Sequence, residues 1–97
     1  MRIRFLSVAE NELEDAIVYY EGKEEGLGIR FLTEINNCLD RIQQYPHAWF
    51  QFSKNTKRCR TKAFPYGVIH QIEEEEIVIV AVASLLNDPG HWKDRIG

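Results

Sequence analysis

The sequence predicts an α+β domain in which two helices pack on one face of a mainly antiparallel sheet. Three observations support this fold class: a short extended segment at the N-terminus, two segments with apolar residues at helical spacing, and three later segments typical of strands. The predicted order is an N-terminal strand, an antiparallel helix hairpin and a three-stranded antiparallel meander. The chain has 97 residues, so we expect residues 1–97 to form a single domain.

The N-terminal strand and the first helix are predicted within residues 1–22. Ile3 and Phe5 share one side of the strand, because successive side chains of a strand alternate. The segment Ser7-Val8-Ala9-Glu10 fits a capping box, which predicts the start of the helix. Gly22 predicts its end, and its apolar stripe consists of Leu13, Ala16, Ile17 and Tyr20.

A second helix is predicted from around residues 26–28 to Pro46, which cannot continue a helix. Only a few residues separate the two helices, so we expect an antiparallel hairpin. The apolar face of the second helix consists of Phe31 or Leu32, Ile35, Leu39 and Ile42. Both stripes are typical of helices that face a core, and by themselves they indicate no function.

Three strands are predicted in the second half of the chain, at Lys57–Phe64, Gly67–Ile72 and Ile77–Ala83. Pro65 suits a bend between the first two, and the four glutamates at 73–76 are best explained as a solvated turn. The last segment is apolar on both faces, which predicts a central strand covered on both sides.

The most informative local pattern is the alternation of charge in the first of these strands. In extended backbone, Arg58, Arg60 and Lys62 share one face. Cys59 then lies on the other face and is expected to be a buried structural thiol. A row of like charges either binds an anionic partner or is a solvated face that water and nearby acids screen. The sequence leaves both interpretations open.

Composition excludes several classes of function. The formal net charge of −3 argues against non-specific nucleic-acid binding, which depends on many phosphate contacts. The three histidines and two cysteines have no zinc-ligand spacing, and there is no glycine-rich phosphate loop, so we expect no metal and no cofactor. No segment is apolar enough to span a membrane and no signal-peptide core is visible, so we expect a cytoplasmic protein without a membrane partner.

The remaining candidates for function are basic and aromatic. Such a set suits phosphate neutralisation with base stacking, or the clamping of an acidic peptide from another protein. The aromatic loop at residues 47–55 could instead close the core. The candidate residues are Trp49, Phe52, Arg58, Arg60, Lys62, Tyr66, His70, His91, Trp92 and Arg95.

One long pattern resembles a known family. The run Phe64-Pro65-Tyr66-Gly67-Val68-Ile69 is followed by the strand Ile77–Ala83, by Asp88-Pro89 and by His91-Trp92-Lys93-Asp94-Arg95. This arrangement is similar to the RelE/ParE toxins of type II toxin–antitoxin (plasmid stabilisation) modules, and it is closer to the ParE-like branch. The N-terminal half agrees through Ala9, Glu12-Leu13, Ala16, Tyr19-Tyr20, Gly28 and Arg30-Phe31.

The resemblance implies a function as well as a fold. It implies a toxin that inhibits growth by binding a cellular target, with DNA gyrase as the target by resemblance, and that a cognate antitoxin neutralises. The antitoxins of this family wrap their toxins through a helix and an extended segment. Two alternatives follow from the same resemblance: a ribosome-dependent mRNA endoribonuclease, and a degenerate toxin that binds only its antitoxin.

The nuclease alternative transfers only in part to this sequence. Arg58, Arg60 and Lys62 occupy the places of the basic residues of the nuclease branch, and His70 or His91 could act as acid or base. Gly67 and Leu86 stand near positions where that branch has arginines. We therefore favour a toxin that is not an enzyme, with a partner-binding surface formed by Trp49, Phe52, Arg58, Arg60, Lys62, Tyr66, Trp92 and Arg95.

Overall fold

Two helices and a mixed sheet form the part of the chain that the computed structural model describes, residues 1–51, 55–86 and Arg95. The elements in chain order are β1 (Arg2–Phe5), α1 (Ser7–Lys23), α2 (Leu27–Gln44), β2 (Phe50–Gln51), β3 (Lys57–Arg60), β4 (Tyr66–Glu73) and β5 (Glu76–Ser84). Over these residues the sheet has five strands in the order β1-β5-β4-β3-β2. β1 pairs in parallel with β5, and the other pairs are antiparallel. The predicted α+β class is confirmed, and so is the element order apart from β2, which lies in the segment predicted as a loop.

The helices pack on one face of the sheet, as predicted. The main core joins buried residues of α1 and α2 to one side of β3, β4 and β5. Alternation places every second strand residue on this side, and we call the opposite side the outer face. The main core consists of Ala9, Ala16, Phe31, Ile35, Cys38, Ile42, Cys59, Phe64, Val68, Ile77, Ile79 and Val82.

β5 is an interior strand between β1 and β4, so it is not the middle strand of the sheet, but it is buried from Ile77 to Ala83 as predicted. Ile69 of β4 pairs with Ala81, whereas His70 pairs with Ile79, so Val80 is an extra residue without a partner in β4. This bulge shifts the alternation of β5, which is why Ile79 and Val82 both face the main core. A second, smaller buried cluster, on the outer face, contains Ile69, Val80, Ala81 and Ala83.

α1 begins without a side-chain cap. Its N-cap residue is Leu6, and no side chain there bonds to the helix. The capping box predicted at Ser7 is therefore wrong. The reason is that β1 leads directly into the helix: the Leu6 N–H donates to the Ile79 carbonyl at 3.0 Å, so Ser7 already lies inside the first turn.

The connection between the helices depends on Glu21 and two glycines. The Glu21 carboxylate accepts from the backbone N–H groups of Gly26 and Gly28, each at 3.0 Å, and so places a negative charge at the N-terminus of α2. Gly26 has a φ of 87°, which favours glycine. At Gly28 a Cβ atom would lie 2.8 Å from the Ile17 carbonyl oxygen, so the two helices approach closely here.

The strand ends differ from the predicted ones: β4 and β5 are each one residue longer at both ends, and β3 is shorter. β4 and β5 are joined by Glu74 and Glu75, with φ of 48° and 65°, which form a tight hairpin turn at the predicted solvated position. β3 ends at Arg60, not at Phe64. The Thr61 hydroxyl lies 2.8 Å from the Phe64 carbonyl and its N–H donates to the Tyr66 carbonyl, so these bonds close a turn where the prediction had a strand.

Among the described residues, neither helix combines the length and the apolar character that crossing a bilayer requires.

Candidate functional site

Arg58 and Arg60 lie side by side on the outer face, as the charge pattern predicts. Their backbone partners in β4 are Ile69 and Gly67, and Cys59 between them points into the main core. Arg60 is exposed, whereas Arg58 is half-buried. We call these two residues the arginine pair. Burial, together with the positive charge of Arg60, lowers the pKa of Arg58 from its ordinary value.

Gly67 makes room for the Arg58 side chain. A Cβ atom at Gly67 would lie 3.0 Å from Cγ and 3.1 Å from Cδ of Arg58. The aliphatic part of Arg58 therefore lies across the bare backbone of β4, and an arginine at position 67 would displace it. In the sequence, the sign of this arrangement was that position 67 lacks the arginine found in the nuclease branch. The structure shows that the glycine leaves room for the Arg58 side chain.

Lys62 lies apart from the arginine pair. The expectation that it shares a strand face with Arg58 and Arg60 is wrong, because β3 has ended two residues earlier. Lys62 is exposed in the turn, and its N–H donates to the Glu34 carboxylate of α2 at 2.7 Å. The N–H of Ala63 donates to the same oxygen at 3.2 Å. The turn is thus tied to the helix layer.

His70 is fully buried. Its Nε2 lies 3.2 Å from the Pro46 carbonyl and donates to it, which places the ring on the helix side of the sheet, across from the arginine pair. Burial lowers the pKa of His70, the bond to Pro46 partly opposes this, and Lys57 and His47 add to the lowering. His70 is therefore a neutral residue of the core, and the structure does not bring it together with Arg58 and Arg60.

The predicted aromatic contacts belong largely to the core. Trp49 packs against the main core, and its Nε1 is buried without a hydrogen-bond partner in the described part of the chain. The Tyr66 ring lies 5.0 Å from Phe31 between ring centres, in an edge-on arrangement, and burial raises the pKa of its hydroxyl. Packing in the core is therefore enough to account for Trp49 and Tyr66, and a binding partner is not needed to explain them.

Arg95 is paired within the chain. Its two terminal nitrogens donate to the two carboxylate oxygens of Glu12 at 2.9 and 3.0 Å. It also donates to the Val80 carbonyl at 2.9 Å, while Glu12 accepts from the Val82 N–H at 3.1 Å. Beyond Ile79, β5 has no strand on its β1 side among the described residues, and these two side chains bond to that open edge.

A cleft that the sequence reasoning missed lies beside this edge. Its volume is about 400 Å³, and α1 and the ends of β4 and β5 line it. Tyr19, which is 56% exposed, stands at its border. No local pattern pointed to it, because its walls come from three separated segments: Glu12, Asp15, Ala16, Tyr19, Tyr66, Val82, Ala83 and Ser84.

Three predicted site residues, Phe52, His91 and Trp92, lie outside the described residues. Leu86, which stands where the nuclease branch has an arginine, is 81% exposed. Of the predicted site residues that the structure describes, it brings Arg58 and Arg60 together on the outer face. A pair of neighbouring guanidinium groups on a sheet face is suited to binding carboxylate or phosphate.

The comparisons with known proteins agree with this fold. Residues 3–88 match the family described as the ParE toxin of the type II toxin–antitoxin system parDE. A solved structure described as the chromosomal ParDE TA system from P. aeruginosa superposes with a TM-score of 0.64 at 10% sequence identity, covering 87% of this chain and 95% of that chain. At this identity the likeness concerns the fold alone. No curated protein sequence matches the chain.

Proposed function

This chain belongs to the ParE toxin family of type II toxin–antitoxin systems, and from that premise we propose that it inhibits growth by binding a cellular target and is neutralised by a cognate antitoxin. The proposed target is DNA gyrase, which the family resemblance implies. The toxin then acts in the cytoplasm as a binding protein and not as an enzyme.

The observation that carries the proposal is the arginine pair. Arg60 is exposed, and the aliphatic part of the Arg58 side chain lies against the backbone of Gly67. A side chain that is already ordered loses less conformational entropy on binding, so a partly buried arginine is a better anchor than a freely moving one. The outer face therefore presents the exposed cation of Arg60, with the side chain of Arg58 beside it, to an acidic partner, whether a target or an antitoxin segment.

The endoribonuclease alternative has less support from these side chains. Cleavage by the 2′-hydroxyl needs a proton acceptor, a proton donor and cationic stabilisation of the phosphate. Arg58 and Arg60 could supply the third requirement. The described histidine that was considered for proton transfer, His70, is buried and bonded to Pro46 on the opposite side of the sheet.

The first experiment measures growth. The chain is expressed from an inducible promoter in a bacterial host, with and without the product of the adjacent small gene. We expect growth arrest that the adjacent product relieves. Arg58→Ala with Arg60→Ala should remove the arrest, whereas Arg30→Ala, at an exposed position of α2, should not. Normal growth on induction of well-folded wild-type protein would favour the degenerate toxin.

The second experiment separates the two active alternatives. Purified toxin is added to gyrase in a supercoiling assay and, separately, to translating ribosomes with a defined mRNA. We expect inhibition of supercoiling and intact mRNA, with the double arginine variant inactive and Arg30→Ala active. Cleavage of mRNA together with normal supercoiling at saturating toxin would replace the proposal by the nuclease alternative.

A further inference from the structure

The two cysteines of the chain meet in the core between α2 and β3. Cys38 is 0% and Cys59 1% exposed, and both are free thiols. One guanidinium nitrogen of Arg41 lies 3.4 Å from the Cys38 sulfur and 3.6 Å from the Cys59 sulfur. Cys38 also lies 3.5 Å from the Arg60 carbonyl. Sequence reasoning had looked for a charged neighbour of Cys59 on β3, whereas the neighbour comes from α2.

The surroundings shift the pKa values of the two thiols in opposite directions. The hydrogen bond from Cys38, and then that from Arg41, lower the pKa of Cys59 against the effect of burial. The same bond and burial raise the pKa of Cys38, and Glu34 acts in the same direction while Arg41 opposes it. Cys59 is therefore the more acidic of the two thiols, and the guanidinium of Arg41 lies beside both sulfurs. A thiolate beside an arginine is the arrangement typical of oxidisable cysteines.

We propose that Cys38 and Cys59 form a peroxide-sensitive pair that closes to an intramolecular disulfide between α2 and β3. The proposal does not depend on the toxin function. It rests on three observations: both thiols are free and buried, one guanidinium nitrogen of Arg41 lies 3.4 and 3.6 Å from their sulfurs, and the sequence has no further cysteine.

The oxidant is a hydroperoxide, and the chemistry balances with it. The Cys59 thiolate attacks one peroxide oxygen, the O–O bond breaks, and the other oxygen leaves as hydroxide, which takes up a proton to become water. Cys59 is then a sulfenic acid. The Cys38 sulfur, losing its proton, attacks the Cys59 sulfur; the S–O bond breaks and the oxygen leaves as a second water. Two thiols and one hydrogen peroxide thus give one disulfide and two waters.

Arg41 connects this buried pair to the solvent. Its side chain is partly exposed, and the same nitrogen that contacts both sulfurs lies 3.4 Å from the Arg60 carbonyl. A molecule as small as hydrogen peroxide therefore has to pass this one partly exposed side chain, to which it can hydrogen-bond. Oxidation would remove the negative sulfur that Arg41 faces and would link α2 covalently to the strand that carries the arginine pair.

The test uses the folded wild-type chain and hydrogen peroxide. Intact mass spectrometry should show the loss of two hydrogen atoms, and peptide mapping should show residues 38 and 59 joined in one monomer. The reaction of the folded protein should be faster than that of the same chain in guanidinium chloride. Oxidation only after unfolding, addition of oxygen atoms without a crosslink, or no reaction would each overturn the proposal.

Matched variants test the assigned roles. In Cys38→Ser the disulfide cannot form, and dimedone should trap a sulfenic acid at Cys59; an unreactive Cys59 in this folded variant would contradict its role as the attacking thiolate. Arg41→Gln should slow the oxidation about tenfold or more, because the thiolate loses its cation. Arg41→Lys should keep most of the rate, and an equal loss in both variants would exclude a role for the charge.

Discussion

Glu12 and Arg95 form a two-bonded ion pair at 2.9 and 3.0 Å although 83 positions separate them in the chain. Each also bonds to the backbone of β5, at Val82 and Val80. The pair therefore supplies hydrogen-bond partners to a strand edge that β1 does not reach. This gives Arg95 a structural role that its position among basic and aromatic residues did not suggest.

Glu12→Gln should lower the free energy of unfolding by about 1–3 kcal/mol, because it leaves Arg95 without its anion at a site where the two side chains are only 15% and 23% exposed. Urea denaturation measures the change. Glu14→Gln, at an exposed position of the same helix, is the matched control and should have little effect. Equal losses in the two variants would mean that the pair does not stabilise the fold.

Two glycines at the helix hairpin should respond to alanine with opposite signs. Gly28→Ala puts a Cβ atom 2.8 Å from the Ile17 carbonyl oxygen and should destabilise the protein by about 1–3 kcal/mol. Gly22→Ala meets nothing within 4 Å and should stabilise it by about 0.5–1 kcal/mol, through the higher helix propensity of alanine. Thermal unfolding distinguishes them. A Gly28→Ala variant as stable as the wild type would argue against the close approach of the helices.

His70 predicts a loss of stability in mild acid. Burial lowers its pKa from the ordinary value of 6.5, so the folded protein binds this proton more weakly than the unfolded chain. The stabilisation from the neutral ring is complete above pH 6.5 and is lost as the pH falls from there towards the folded pKa.

The measurement is the free energy of unfolding as a function of pH between about 5 and 8. His70→Gln keeps a donor for the Pro46 carbonyl but cannot titrate, so it should flatten the profile. His47→Gln, at an exposed position, should leave the slope in place. If the profile flattened in the His47 variant and not in the His70 variant, the assignment of the pH dependence to His70 would be wrong.

Gly67→Ala should affect binding more than stability. The new Cβ atom would lie 3.0 Å from the Arg58 side chain, which can move away, so the free energy of unfolding should change by less than about 1 kcal/mol. Arg58 would then leave its position, and we expect weaker binding of the antitoxin in a titration. Arg58→Ala in the Gly67→Ala background should have a smaller effect than alone; full additivity would mean that the two residues are not coupled.

Local patterns predicted the elements of the fold, because periodicity reports which side of a helix or strand is buried. The stripes of α1 and α2, the apolar β5 and the alternation of Arg58 and Arg60 all depend on neighbours within a few residues. The N-cap was placed wrongly at Ser7, one residue too late, because a capping box is also a local pattern, whereas Leu6 bonds to Ile79, far along the chain.

The site was predicted less well, because its determinants are long-range. The alternation rule gave Lys62 the same face as Arg60, but the Thr61 hydroxyl ends the strand by bonding within the turn. His70 looks like a catalytic candidate in the sequence, and only its contact with Pro46 identifies it as a core residue. The joining of Cys38, Cys59 and Arg41 depends on how α2 crosses β3, which no local spacing encodes.

The parallel pairing of β1 with β5 joins two segments that lie far apart in the sequence. Arg2–Phe5 pair with Glu76–Ile79, so during synthesis β1 cannot form these hydrogen bonds until β5 has been made. Contacts between such distant positions are slow to form. The helix hairpin and the β4–β5 hairpin depend on contacts between neighbouring segments, so we expect them to form before β1 pairs with β5.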